Sequence, residues 1–147
     1  MAAPETSNKL LVYLGDGAET ETFSHPCGAN AATVTLTNST GETEVLDCDD
    51  PTEGNATIVR WVTTQDTALS VPGVVAKSSF ATWREWSDGQ TIKNIRVMFD
   101  ESGANGGGYW TLPAILTTFD LGRQGKAVIN FTASIVAAGP RVWTPAS

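Results

Sequence analysis

One histidine, two cysteines and a run of carboxylates are the groups in this 147-residue chain whose types and spacing could do chemistry. His25, Cys27 and Cys48 offer three zinc ligands and no fourth of the usual kind, so a structural metal site is not expected. Two free thiols are the default reading of Cys27 and Cys48, since a disulfide requires their Cα atoms within about 7 Å and nothing in the sequence places them there. The stretch GETEVLDCDDPTEGN, residues 41–55, carries Glu42, Glu44, Asp47, Asp49, Asp50 and Glu53 and no base. It lacks the one-three-five spacing, central Gly and terminal Glu of a calcium loop, and reads as a solvated or interfacial loop with a short strand near Val45. The glycine-rich SGANGGGYW, residues 102–110, lacks the Gly-Lys-Ser/Thr ending and following helix of a phosphate loop, and reads as a flexible connection. With no nucleophile elbow, paired histidines or His-acid dyad, the expectation is a protein that is not an enzyme and holds no cofactor.

Charge narrows the partners. Sixteen Asp and Glu against nine Lys and Arg give a net charge of -7, which repels phosphate and argues against sequence-reading nucleic-acid binding. The imbalance is uneven: residues 1–66 hold eleven acids and two bases, residues 67–147 five acids and seven bases. Such asymmetry suits head-to-tail association of copies, an acidic surface on one meeting a neutral or basic surface on the next. Asn38, Asn55 and Asn130 begin Asn-X-Ser/Thr sequons. MAAPETSNK lacks a basic start and apolar signal core, so these read as chance and synthesis in the cytosol is expected. No apolar run approaches the roughly 18 to 20 residues of a membrane span.

The elements that position these groups are mostly strands. The length predicts a single domain over 1–147, with a flexible N-terminal arm, 1–8, and C-terminal arm, 139–147. Alternation of β-branched and apolar residues predicts strands at Lys9–Leu14, Ala32–Thr37, Thr57–Thr64, Leu69–Gly73, Thr91–Phe99 and Tyr109–Leu121. A final strand has Ala127, Ile129, Phe131, Ala133 and Ile135 on its core face and Lys126, Asn130, Thr132 and Ser134 on the other. Gly122–Gly125 reads as the hairpin turn before it. Between 76 and 87 the period becomes helical: Ala76, Phe80 and Trp83 follow i, i+4, i+7, and Trp86 widens the stripe. That predicts one helix docked on the sheet through Phe80, Trp83 and Trp86, capped by Ser78 and ended by a left-handed Gly89.

The order of these features resembles a known family. An acidic strand-loop is followed by RWVTTQDTALSVPGVV, a helix with FATWREW, then SDGQTIKNIRVMF and GGGYWTLPAILTTFDLGRQGKAVINFTASIVAAGP. Over residues 31–140 the chain is similar to the tail-tube (major tail) proteins of long-tailed bacteriophages and phage-like gene transfer agents. Where that family often has a Ser-Gly-Ser-Gly-like turn before the helix, this chain has Ser70-Val-Pro-Gly73.

The resemblance implies an antiparallel β-sandwich or partial barrel with one flanking helix, its inner sheet completing a barrel in the oligomer. It implies a virion protein made in the bacterial host cytoplasm. Six copies would form a ring, and rings would stack into a hollow tail tube through which DNA passes without specific binding. Its partners would be itself, the tape-measure protein, the tail terminator and the distal tail proteins, with no membrane contact. Lys126, Asn130, Thr132 and Ser134 become candidates for the lumen, and Glu42, Glu44, Asp47, Asp49, Asp50 and Glu53 for contact between subunits. The alternative is a small β-sandwich binding module, carbohydrate-binding or decorating a capsid, with tryptophans as its contact surface.

Overall fold

The computed structural model describes residues 9–123 and 125–146; the expected N-terminal arm, 1–8, lies outside them. In chain order the elements are β1 (Leu10–Gly15), β2 (Phe23–Ser24), β3 (Thr33–Val45), β4 (Thr57–Val74), α1 (Lys77–Gly89), β5 (Lys93–Phe99), β6 (Gly108–Arg123), β7 (Ile129–Ala137) and β8 (Val142–Pro145). They pair in the order β2-β1-β5-β6-β7-β4-β3, with β8 beside β6, in an antiparallel sheet that does not close into a barrel. The expected class, mainly β with one flanking helix, is the class found. The described residues divide into two compact units, one comprising those up to Thr35 and from Thr67 onward, the other Leu36–Asp66.

In the first unit, period-2 alternation builds the core. Val12 and Leu14 of β1, Ile95 and Val97 of β5, Leu112 and Ala114 of β6, Leu69 and Val71 of β4, and Phe131, Ala133 and Ile135 of β7 are buried together with Trp83 and Trp86. On β7 the alternate residues Asn130, Thr132 and Ser134 are exposed or half-buried, as expected. Two expected core residues are not in it. Ile129 stands exposed where β7 begins, opposite Arg123 at the hairpin end and beyond the aromatic layer, and Ala127 precedes the strand. Lys126 also precedes β7, so the strand's alternation does not set its direction.

The helix is rotated from its expected setting. Ser79, Trp83 and Trp86 are its buried residues, while Phe80 is half-buried and outside the core cluster. Ser79 can face inward because its hydroxyl donates to the Cys27 carbonyl at 2.7 Å. Trp83 sits at the centre of the aromatic layer, its ring centroid 5.5 Å from Phe131, 5.8 Å from Phe119 and 6.1 Å from Trp86. The Trp86 indole N–H donates to the Thr91 carbonyl at 3.0 Å, whereas the buried Trp83 N–H has no acceptor among the described residues. The N-cap is Ala76, with no side-chain cap bond where Ser78 was expected to supply one. The left-handed residue that ends the helix is Gln90, one position after Gly89.

A loop pins the end of β4. Gly28 accepts a hydrogen bond from the Val74 N–H at 2.9 Å, and the Asn30 N–H donates to the Pro72 carbonyl at 3.2 Å. The backbones pass so closely that a Cβ on Gly73 would collide with the Gly28 carbonyl, and Gly28 itself has φ +88°. With the loop docked on that edge, β4 continues through Pro72 and Gly73 to Val74. Residues 142–145, expected within a flexible arm, instead form β8 against Gly108–Thr111, with Trp143 packed edge-on to Trp110 at 4.8 Å. Cys27 and Cys48 are both free and exposed.

Candidate assembly surfaces

The second unit is a hairpin made of the distal parts of β3 and β4; the strand expected at Thr57–Thr64 lies within β4, whereas residues 41–45, expected as loop with a short strand near Val45, continue β3. Across it the Arg60 Nε donates to Glu42 Oε2 at 2.9 Å, and the Thr63 hydroxyl to the Ser39 carbonyl at 3.0 Å. Both members of the Arg60–Glu42 pair are exposed, so the contact orients side chains more than it stabilises them. Trp61 lies over Gly41, where a Cβ would stand 2.9 Å from the indole Cε2 and Cζ2. The glycine is what lets the ring lie flat on the ribbon.

Alternation puts Ile58, Arg60 and Val62 on one face of the ribbon and Val59, Trp61 and Thr63 on the other. Ile58, Val59, Trp61 and Val62 are all exposed, as are Leu36, Val45 and Leu46. A strand with one buried face alternates apolar with polar; one apolar on both faces belongs where both faces are covered. An isolated two-stranded hairpin is marginal in water, and this one leaves bulky apolar groups uncovered on each side.

The acids divide between strand and turn. Glu42 and Glu44 lie on β3, whereas Asp47, Asp49, Asp50 and Glu53 lie in the connection to β4. That connection is shaped by its own carboxylates: Asp47 Oδ1 accepts from the N–H groups of Asp49, at 2.9 Å, and Asp50, at 3.4 Å. Asp50 Oδ1 accepts from the Glu53 N–H at 3.3 Å. These are turn-forming bonds of the kind Asp makes to the backbone just after it, and they hold the negative charge in a fixed shape. Among the described residues no three His, Cys, Asp or Glu side chains gather as a metal set.

Open strand edges complete the surface. Among the described residues β3 has no partner beyond β4, and Leu10–Tyr13 of β1 have β5 on one side only, because β2 reaches only Leu14 and Gly15. Such edges invite pairing with another chain. The lumen candidates Asn130, Thr132 and Ser134 share one face of β7, opposite its core face; Lys126 is apart from them in the preceding turn. Of the bases that could meet the acids of another copy, Arg84 lies 3.8 Å from both Glu85 and Asp88 of its own helix, and Arg141 donates to the Thr67 hydroxyl at 3.0 Å.

The sequence of the family described as phage tail tube protein matches residues 4–142. The chain belongs to that family. Solved structures agree in fold. The tail of an empty GTA particle, determined with C6 symmetry, superposes on this tail tube protein with a TM-score of 0.76 at 15% identity, over 96% of this chain and 99% of that one. The tail tube of SPP1 superposes with a TM-score of 0.69 at 10% identity, over 97% of this chain and 80% of that one. A subunit of the PVC sheath-tube complex, an extracellular contractile injection system, gives 0.61 at 12% identity, over 97% and 92%. No curated protein matches by sequence. The sequence reading placed contact between copies on the acids of this hairpin and gave no role to its exposed apolar residues. The signal was present in Ile58-Val-Arg-Trp-Val62, apolar on both parities.

Proposed function

We propose that six copies of this chain close into a ring and that rings stack into the hollow tube of a phage or gene transfer agent tail, through which DNA passes without specific binding. The hairpin Leu36–Asp66, apolar on both faces, carries the reading: one neighbouring copy covers each face, and the exposed area becomes interface. Free edges of β1 and β3 join copies side by side and extend the sheet around the ring. Asn130, Thr132 and Ser134 face the lumen, where small uncharged polar groups let a polyanion slide. Glu42, Glu44, Asp47, Asp49, Asp50 and Glu53 contact the next copy. The tape-measure protein inside the tube, and the terminator and distal tail proteins at its ends, are the further partners, met after synthesis in the host cytoplasm. The single-domain behaviour of 1–147 belongs to the same reading. Electron microscopy of the purified chain at rising concentration tests it, by whether sixfold rings and tubes form.

A further inference from the structure

We infer that Arg96 is a preformed receptor for a carboxylate of the acidic hairpin on a second copy. Arg96 lies mid-strand on β5, opposite Tyr13 of β1 and Thr111 of β6, on the face away from the buried Ile95 and Val97. Its guanidinium carbon is 3.9 Å from the ring centroid of Phe23 and 4.3 Å from that of Tyr109. Two aromatic rings therefore fix the planar group before any partner arrives. The setting has a cost, because the Nε is withdrawn from solvent and has no acceptor among the described residues. No carboxylate among the described residues pairs with Arg96, whereas Arg60 has Glu42 and Arg84 has Glu85 and Asp88. A held guanidinium whose terminal nitrogens carry an uncompensated charge is a fork made for an anion, and a bidentate carboxylate on those terminal nitrogens supplies the charge partner that the described residues do not.

The same chain supplies the anion. Of the six acids between 42 and 53, Glu42 is taken by Arg60, and none of the others makes an ion pair among the described residues. Asp47 and Asp50 are fixed by bonds to the N–H groups that follow them, so both halves of the contact are ordered before they meet.

The inference rests on the ring reading, and its test separates the two. Wild type, Arg96→Gln, Arg96→Glu, the triple variant Asp47→Lys, Asp49→Lys, Asp50→Lys, and the triple combined with Arg96→Glu are compared for the concentration at which tubes appear at low salt. Thermal midpoints verify each fold. Arg96→Gln and Arg96→Glu raise that concentration tenfold or more, and combining reversed arginine with reversed acids brings it back toward wild type. A second measurement needs no variant: in tubes grown from a mixture of copies labelled with 15N-arginine and copies labelled with 13C-aspartate and 13C-glutamate, solid-state NMR detects an Arg96 guanidinium to carboxyl contact between copies. Wild-type tubes that form equally well with Gln at 96, or mixed tubes without that contact, overturn the inference and leave the ring reading standing. Tubes that form normally with Gln at 96 but change their retention of DNA assign Arg96 to phosphate, and also overturn it. A wild-type chain that remains monomeric at all concentrations overturns both.

Discussion

The indole of Trp61 rests on the bare backbone of Gly41, with no space between them for a Cβ. Trp61 is nonetheless 49% exposed, so this close seat serves to present the ring outward and buries only one of its faces. Replacing Trp61 by Ala removes a contact surface for a neighbour and little of the subunit's own core. The thermal midpoint of the monomer then stays within about 3 °C of wild type, while the concentration needed for assembly rises tenfold or more, a cost of about 1.4 kcal/mol per interface. Sedimentation velocity against concentration reads the second quantity and calorimetry the first.

Trp83 behaves in the opposite way. It is 1% exposed and touches Trp86, Phe119 and Phe131, so Trp83→Ala opens a cavity and costs about 3–5 kcal/mol in denaturant unfolding. Trp83→Phe keeps an aromatic ring in the stack and gives up an indole N–H that has no acceptor among the described residues, so its cost is well below that of Ala. Equal losses for the two variants would contradict this ordering.

The acidic turn is built so that charge and shape can be separated. Changing Asp47, Asp49 and Asp50 together to Asn keeps a side-chain oxygen at each turn bond and removes three charges. The subunit's unfolding free energy changes by less than about 1 kcal/mol, as exposed charges contribute little. Assembly of the wild type weakens as salt rises, and the triple variant loses most of that salt dependence. Light scattering at two salt concentrations checks both.

Asp16 gives a pH dependence whose sign is fixed. Its carboxyl is held below the usual carboxylate range first by the N–H of Ala18 and then by that of Thr22, at 3.0 and 3.2 Å. The folded state therefore prefers the ionised form, and the turn at 16–22 is supported in full above the unfolded pKa of about 3.9. That support is lost as pH falls through the lower folded value, because protonation then removes a charge-assisted acceptor. Protection of the Ala18 and Thr22 amides from hydrogen exchange, taken relative to an unstructured peptide at the same pH, falls in that acid window, and Asp16→Ala lowers it at neutral pH.

Alternation made much of the body legible. Trp83 and Trp86 docking the helix, and Phe131, Ala133 and Ile135 facing the core opposite Thr132 and Ser134, follow from period alone. Phe80 did not follow, because the helix turned to use Ser79, which became buriable only when the Cys27 carbonyl came within reach of its hydroxyl. Such a partner, remote in sequence, is invisible to a helical pattern. The strand at Thr57–Thr64 was legible, but the length of its partner was not: residues 41–45, GETEV, are too polar to mark a strand and continue β3 because β4 lies beside it. β8 was read as arm because four residues carry too little alternation to mark a strand, and its pairing depends on Trp143 meeting Trp110. Family resemblance carried the assembly reading, which no single subunit's periodicity contains.

The most direct test of the account is an electron micrograph of the purified wild-type chain, taken over a range of concentrations at low salt. The account predicts rings with sixfold averages that give way to hollow tubes as concentration rises. A chain that stays a monodisperse monomer throughout, or that forms closed assemblies with no central channel, would contradict it.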